Sequence, residues 1–326
     1  MTYSAGNTIL DDDYNTFANG TGGLAGLNPV WSNGLGSTYG WGQSGDIASV
    51  AAGATVTATQ WTNLLNRMNT IADHENTTIT AITNPSAGDT IAAYSALQTN
   101  IDAVYANRLN AHANGTDLTT NGTTTTTSTW STSAITEKTI TFGSADEKKY
   151  FFNAGGHIRM SFSLTGGSDA KSADWASLLT ATGTIVLACT GTNPANIIIA
   201  GTTYNGTTKI GGSGTPVTIA STTGNNQLSG INTLIFKQYS TAYLYSANFI
   251  QIQAKAASST AITFTVGLYD DAADETAPAG TGGTGDDLDI VDGTLTMTTI
   301  IRPPSTTYIS NTWGTPTQNA ASWTVS

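Results

Sequence analysis

The side chains in this chain with the strongest catalytic and metal-binding chemistry are three histidines and one cysteine. None of His74, His112 and His157 has a second ligand at metal-binding spacing, and the motif H-E-x-x-H is absent. Cys189 ends an apolar run, residues 184–189, so we expect a buried thiol, and a single cysteine cannot form an internal disulfide. We therefore predict structural roles for these four residues. We expect no catalytic residue, no bound metal and no cofactor.

Clustered carboxylates are the second possible source of chemistry. Residues 286–292 contain several aspartates followed by Gly293, and their oxygens could serve as Ca²⁺ ligands. The spacing does not match an EF-hand loop, which favours a solvated turn over a calcium site. Three consecutive aspartates at residues 11–13 are explained by helix N-capping or by solvation. The clustered aspartates near Gly293 are Asp286, Asp287, Asp289 and Asp292.

A glycosidase is the enzyme class that we weigh against a structural protein. Such an enzyme needs two carboxylates placed on either side of a glycosidic bond. Nothing in the sequence singles out a pair of carboxylates for that task. The chain is therefore predicted not to be an enzyme.

The composition limits the class of partner. Only 10% of the 326 residues are charged and the net charge is −11. The absence of a basic stripe argues against nucleic acid and against an anionic membrane surface. No apolar stretch approaches about 20 residues, and the first residues lack a signal-peptide pattern. We expect a protein made in a cytoplasm, without membrane insertion, and folded, because 39% of its residues are hydrophobic.

Residues 1–56 are rich in glycine and turn residues, with large apolar side chains at intervals. A weakly structured segment that exposed two tryptophans to water would be unfavourable. We therefore expect an extended attachment arm whose aromatic residues contact another molecule. The predicted assembly contacts of this arm are Tyr14, Phe17, Trp31, Tyr39 and Trp41.

Two amphipathic helices are predicted over residues 57–112. Thr57 and Gln60 form a capping-box pattern, and apolar residues follow at the helical period. A second helix is predicted from about Asp89, a good N-cap residue, to about residue 109. Its apolar stripe fits either packing against the first helix or a short coiled-coil seam between identical subunits. The stripe residues predicted as assembly contacts are Tyr94, Leu97, Ile101 and Val104.

Beyond the helices the pattern becomes that of a β-protein. Residues 113–134 are predicted to form a polar linker. Residues 135–302 contain alternating apolar and polar side chains, typical of half-buried strands. A strand at residues 149–152, a turn, and a strand at residues 157–164 predict a hairpin. The fold class is therefore predicted to be mainly β with an N-terminal α-helical part, the β region being an antiparallel β-sandwich or jelly roll.

Two further segments complete the predicted organisation. Trp175, Leu178 and Leu179 indicate a short helix inside the β region. Residues 303–326 are polar but carry scattered apolar side chains, including Trp313. We expect this segment to be a C-terminal docking tail, with Trp313 as a further assembly contact.

Short motifs along the chain resemble segments of virion structural proteins of marine and cyanobacterial tailed phages. The resemblance spans much of the chain and identifies no active-site residue. The motifs are residues 4–10 (SAGNTIL), 13–15 (DYN), 40–43 (GWGQ), 57–61 (TATQW) and 151–159 (FFNAGGHIR).

This resemblance implies a structural component of a phage particle, assembled in the host cytoplasm and located in the virion. Its expected place is tail-associated, as a fibre, fibre adaptor, collar or baseplate protein attached through its N-terminal part. The expected partners are other virion proteins and further copies of the chain, with a homotrimer favoured. Two alternatives stay open: a tail-fibre module that binds host surface glycans through exposed Trp and Tyr, and a capsid decoration protein.

Overall fold

The computed structural model shows a mainly β chain with antiparallel sheets and a few helices, as the sequence predicts at that level. The residues that the structure describes are 10–22, 24–34, 36–84, 86, 94–242, 245–272 and 290–326.

The helices are concentrated before residue 107, and two more lie among the strands. Their bounds are α1 Asp11–Asn19, α2 Asn28–Trp31, α3 Ala58–Glu75, α4 Tyr94–Ala106, α5 Ala145–Asn153 and α6 Ala170–Thr182, with a short 3₁₀ turn at Asn225–Gln227. The strands are β1 Thr123–Thr126, β2 Ser133–Thr141, β3 His157–Thr165, β4 Thr184–Leu187, β5 Ile197–Ile199, β6 Thr202–Tyr204, β7 Thr207–Ile210, β8 Thr218–Ile219, β9 Thr233–Tyr239, β10 Phe249–Ser258, β11 Ala261–Tyr269, β12 Thr294–Arg302, β13 Thr317–Gln318 and β14 Thr324–Val325.

Helix α3 begins at the predicted capping box. The Gln60 backbone N–H donates to Thr57 Oγ1 at 3.3 Å, and the Thr57 N–H donates to Gln60 Oε1 at 2.8 Å. The helix ends at Asn76, whose left-handed backbone (φ 57°) suits an asparagine better than a branched residue. Helix α4 packs against α3, which is the first of the two predicted arrangements for its apolar stripe. The predicted N-cap Asp89 lies outside the described residues.

Two large antiparallel sheets form most of the β region. One has the strand order β1-β12-β3-β4-β7, and the other has the order β13-β2-β11-β10-β9-β8, with β14 also paired to β2. In β3 the apolar residues predicted on one face are buried, whereas the residues between them are mostly half-buried or exposed. The buried apolar residues of β3 are Ile158, Met160, Phe162 and Leu164.

The prediction of a strand at residues 149–152 is wrong, because this segment belongs to helix α5. Ser144 caps the helix by accepting a hydrogen bond from the Glu147 N–H at 3.0 Å, and two acidic residues lie in its first turn. Phe151 and Phe152 are fully buried and pack against Phe142. The predicted hairpin is therefore absent, and β3 pairs instead with β4 and β12.

Residues 113–134 are more ordered than a linker. They include β1, which pairs with β12, and Trp130, which is buried against Trp175 with ring centroids 4.9 Å apart. The predicted turn at Asn121 is present, with φ of 58°. The segment therefore contributes β1 to one sheet and the first residues of β2 to the other, although the predicted domain limits themselves stay predictions.

The N-terminal and C-terminal segments are joined to each other. Gln43 and Ser310 exchange two hydrogen bonds of 2.9 Å, from Gln43 Nε2 to the Ser310 carbonyl and from the Ser310 N–H to Gln43 Oε1. The Trp41 carbonyl accepts a further bond from Thr312 Oγ1. In the described part of residues 1–56 the chain forms α1 and α2 rather than a continuous extended segment. The C-terminal tail thus docks on the N-terminal region of its own chain.

Candidate functional site

A cleft of about 460 Å³ lies between helix α6 and the end of strand β9. We call it the α6 cleft. Serine, threonine and alanine side chains make up much of its wall, together with a carboxylate, an amide and two tyrosines. It is lined by Ala170, Ala173, Asp174, Ser177, Leu178, Ala181, Ser213, Gln238, Tyr239, Ser240, Thr241, Ala242 and Tyr245.

Helix α6 is fixed at its N-terminus by two aspartates. Asp169 accepts a hydrogen bond from the Ser172 N–H at 2.6 Å, which is an N-cap. Asp292 accepts bonds from Ser168 Oγ at 2.6 Å and from Ser172 Oγ at 2.7 Å, so the helix start is tied to the segment before β12. The helix that the sequence predicts around Trp175 is confirmed, and its register is set by these caps.

Asp174 and Gln238 give the α6 cleft its polarity. Only 8% of Asp174 and 1% of Gln238 is exposed. Ser240 Oγ donates to Asp174 Oδ1 at 2.7 Å. Within the described part of the chain, Asp174 Oδ2 and Gln238 Oε1 have no hydrogen-bond partner. Burial raises the pKa of the Asp174 carboxyl, and the bond from Ser240 acts in the opposite direction.

A buried ion pair lies one helical turn before Trp175. Lys171 Nζ is 2.8 Å from Asp270 Oδ2, and both side chains are almost completely buried. Because a buried charge is stable only when it is paired, this contact fixes helix α6 to the end of β11. The pair therefore positions the helix that carries Asp174.

Three aromatic rings form a row across neighbouring strands next to the cleft, and we call it the aromatic row. Tyr239, Phe249 and Tyr269 face each other in register on β9, β10 and β11. The ring centroids are 5.2 Å apart for Tyr239–Phe249 and 4.9 Å apart for Phe249–Tyr269. Lys237 Nζ lies 3.5 Å from the Phe249 ring centroid. Tyr239, which is 36% exposed, belongs both to this row and to the cleft wall.

The Tyr269 ring in the aromatic row requires a glycine beside it. A Cβ atom at Gly267 would lie 2.4 Å from a ring carbon of Tyr269, well inside van der Waals contact. Gln251 Nε2 donates to the Tyr269 hydroxyl at 3.3 Å. The glycine and this hydrogen bond therefore fix the position of the Tyr269 ring on the sheet.

A second cleft, the Arg67 cleft, lies between helix α3 and the segment around residue 46 and also measures about 460 Å³. The Arg67 guanidinium carbon is 3.8 Å from the Trp31 ring centroid, and Nη2 donates to the Gly45 carbonyl at 2.8 Å. Burial lowers the pKa of Arg67, and the nearby Asp46 carboxylate raises it. This cleft holds a partly exposed tryptophan of the predicted attachment arm.

The structure separates the predicted assembly contacts into two groups. Trp31 and Tyr39 are partly exposed and keep some surface for a second molecule. Tyr94 is the first residue of α4, and its side chain lies outside the described residues. The remaining contacts are at most 2% exposed and pack within the chain, so in this structure they act as core residues. They are Tyr14, Phe17, Trp41, Leu97, Ile101, Val104 and Trp313.

The cysteine is buried, as the sequence predicts. Burial raises the pKa of the Cys189 thiol to about 12, so it stays protonated at neutral pH.

The predicted calcium cluster is described only in part, because Asp286, Asp287 and Asp289 lie outside the described residues. Asp292 accepts hydrogen bonds from Ser168 and Ser172, and those hydrogen bonds lower its pKa. Among the residues that are described, no three His, Cys, Asp or Glu side chains are grouped so that they could hold a metal ion.

Two of the histidines are buried within hydrogen-bonded surroundings. His74 lies against the Trp41 ring, with centroids 4.6 Å apart, and its Nε2 is 3.1 Å from the Ala154 carbonyl. His157 Nε2 accepts a hydrogen bond from Arg159 Nε at 3.0 Å. Burial, reinforced for His157 by the Arg159 charge, lowers the pKa of His74 to about 4 and that of His157 to about 3.

We expect acid to destabilise the protein through His157. Its pKa in the folded chain, about 3, is below the ordinary value of 6.5, so the unfolded chain binds the proton first as the pH falls. Stability from this group is complete above pH 6.5 and falls as the pH drops below it, by about 2 kcal/mol at pH 5. Denaturant unfolding at pH 7.5, 6 and 5 measures this loss.

The variant His157→Gln is expected to reduce that pH dependence, and the exposed His112 provides the matched control variant His112→Gln. The buried Glu75 works in the opposite direction, because burial raises its pKa. The comparison therefore has to be made between variants rather than on the wild type alone. An unchanged pH slope in His157→Gln would contradict the prediction.

Comparison of the chain with protein-family models, with curated proteins and with solved structures gave no match. In the described part of the chain no helix has both the length and the apolar character needed to cross a membrane.

Proposed function

We propose that the protein is a structural component of a tailed-phage particle, tail-associated and attached through its N-terminal part. The observation that carries this proposal is that one core contains residues of both the described N-terminal region and the C-terminal tail. Trp41 from the N-terminal region and Trp313 and Trp323 from the C-terminal tail are buried in the same apolar cluster as both sheets. A part that bears load in a particle needs ends that do not separate from its body.

We also propose that the two large sheets form a β-sandwich. Hydrogen bonds connect them near both edges, which supports a closed, two-layer arrangement. At one edge Trp323 Nε1 donates to the Thr124 carbonyl at 3.1 Å. At the other edge the Thr207 N–H, on β7, donates to the Ala220 carbonyl, just after β8, at 3.2 Å.

Attachment through the N-terminal part has Trp31 and Tyr39 as its contacts. Both rings are partly exposed and both are covered on one side by an arginine, with Arg67 over Trp31 and Arg108 over Tyr39. A flat aromatic ring held by a guanidinium is already ordered before a partner arrives, which reduces the entropy cost of binding.

The test is assembly of the isolated protein. Sedimentation velocity is expected to find a homo-oligomer, with a trimer favoured, and the variant Trp31→Ser/Tyr39→Ser is expected to shift it toward the monomer. Tyr308→Ser is the control, since Tyr308 is 37% exposed and lies in the C-terminal tail. Gold-labelled antibody on particles then distinguishes a tail from a capsid position. A wild-type protein that stays monomeric and leaves particles unlabelled would refute the proposal.

A host-glycan-binding module is the second candidate function. The aromatic row favours it, because rings grouped at one end of a sheet can stack on the apolar faces of sugar rings. Against it, Phe249 is only 8% exposed and Lys237 covers part of the row, which leaves Tyr239 as the most exposed ring.

A further inference from the structure

We infer that the α6 cleft binds a small ligand through a primary alkylammonium group. Asp174 and Gln238 would accept hydrogen bonds from that group, and Tyr239 and Tyr245 would flank it. The inference is independent of where the protein sits on a particle, because it rests only on the groups that line the cleft.

The α6 cleft contains two acceptor atoms that lack a hydrogen-bond donor among the described residues. Asp174 Oδ2 and Gln238 Oε1 are buried and, in the part of the chain that is described, unpartnered. A buried polar atom without a partner destabilises the folded chain, so such atoms are rare unless a ligand or water satisfies them. Both atoms are acceptors, so any group that satisfies them must be a donor.

The charged groups of the α6 cleft favour a cation. The described residues that line the cleft include one carboxylate, Asp174, and no lysine or arginine. The nearest lysine on the same helix, Lys171, is paired with Asp270. A site with one carboxylate and two unpartnered acceptor atoms is complementary to a cation with several N–H donors, which is what an ammonium group supplies.

Two tyrosines in the wall of the α6 cleft also favour a cation. A cation is attracted to the face of a tyrosine ring, and the attraction grows when water is excluded. The Tyr239 ring is already in one cation–π contact, because Lys237 Nζ lies 4.6 Å from its centroid. Tyr245 is only 6% exposed and lines the same cleft.

The size of the cleft agrees with a small ligand. Its volume of about 460 Å³ is in the range of pockets that hold small molecules. Ser177 and Ser213 add hydroxyl groups around the wall, and these can bond to polar atoms elsewhere on the ligand. An ammonium carried on a short alkyl chain therefore fits the cleft by charge, donors and volume.

The experiment measures binding of butylammonium chloride to the full chain by two-dimensional amide NMR, at constant ionic strength. We expect saturable shifts at residues 174 and 238–241, and binding at least tenfold weaker for the isosteric variant Asp174→Asn. The variant Asp46→Asn, which removes a carboxylate from the Arg67 cleft, is the control and is expected to bind as the wild type does. Thermal melting checks that each variant is folded.

Two neutral probes separate this inference from the glycan-binding candidate. Butanol has the same chain without the charge, and N-acetylglucosamine is a neutral sugar. We expect neither to bind in the α6 cleft with the affinity of butylammonium. Equal binding of butanol, binding of the sugar alone, or an unchanged affinity in Asp174→Asn would each overturn the inference. If Asp174→Asn does not fold, Gln238→Met is used instead and is also expected to weaken ammonium binding.

Discussion

Replacing Trp41 by alanine is expected to lower the free energy of unfolding by about 3–5 kcal/mol. The side chain is fully buried, and it contacts the His74 ring. Its Nε1 lies 3.0 Å from the Arg108 carbonyl and 3.2 Å from the Asn153 carbonyl. The alanine variant loses the buried ring and leaves both carbonyls without this donor. Denaturant unfolding with a fixed m-value measures the loss.

Two further variants divide this effect into its parts. Trp41→Phe keeps most of the apolar ring but removes the donor, so we expect a smaller loss of about 1–3 kcal/mol. Trp31→Phe is the matched control, because Trp31 is partly exposed and its Nε1 bonds only to the Ser44 carbonyl at 2.8 Å. If Trp41→Ala unfolds at the wild-type denaturant concentration and only fails to assemble, residue 41 belongs to an attachment arm and not to the core.

The periodic elements of the fold could be predicted from the sequence because their signals are local. The capping box at Thr57 and Gln60 specifies where α3 begins, and the alternation after residue 157 specifies which face of β3 is buried. The prediction of a strand at residues 149–152 is wrong because a run of three aromatic residues has no period. Such a run fits a buried helix as well as a strand. The cap at Ser144, six residues before the first of these aromatic residues, is the stronger signal.

The burial of the N-terminal aromatic residues could not be predicted in the same way. Trp41 Nε1 donates to the carbonyls of Arg108 and Asn153, which lie 67 and 112 positions further along the chain. No local sequence pattern encodes contacts between residues so far apart. The sequence shows that a tryptophan in a glycine-rich segment needs cover. It does not show whether the tryptophan packs against another molecule or against its own chain. In the first case the residue is an assembly contact, and in the second it is a core residue.

The α6 cleft could not be predicted from the sequence for a related reason. Asp174 and Gln238 come from a helix and a strand far apart in sequence, and only the tertiary packing of the chain brings them together. A local signal existed nevertheless. Lys171 and Asp174 fall on the same helical face as Leu178, and charged residues on an apolar face are buried in pairs or at sites.

Replacing Lys171 by methionine is expected to destabilise the protein by about 3–5 kcal/mol. The methionine fills much of the same volume, but Asp270 is left buried without the lysine at 2.8 Å. The double variant Lys171→Met/Asp270→Leu is expected to recover most of the loss, because the buried carboxylate is then gone as well. Thermal and denaturant unfolding of the four proteins form a double-mutant cycle that gives the coupling energy of the pair.

An exposed pair provides the control for that cycle. Asp146 and Lys149 are 4.0 Å apart, and the Asp146 side chain is 72% exposed, so Asp146→Asn is expected to change stability by less than about 1 kcal/mol. If Lys171→Met costs no more than Asp146→Asn, the buried pair does not hold α6 in place. Asp174 lies on the same helix. A small loss in Lys171→Met would therefore also mean that the ion pair does not fix the position of Asp174 in the α6 cleft. A large loss in Lys171→Met that the second substitution reverses would show that burial of charge, not loss of packing, sets the energy of this helix.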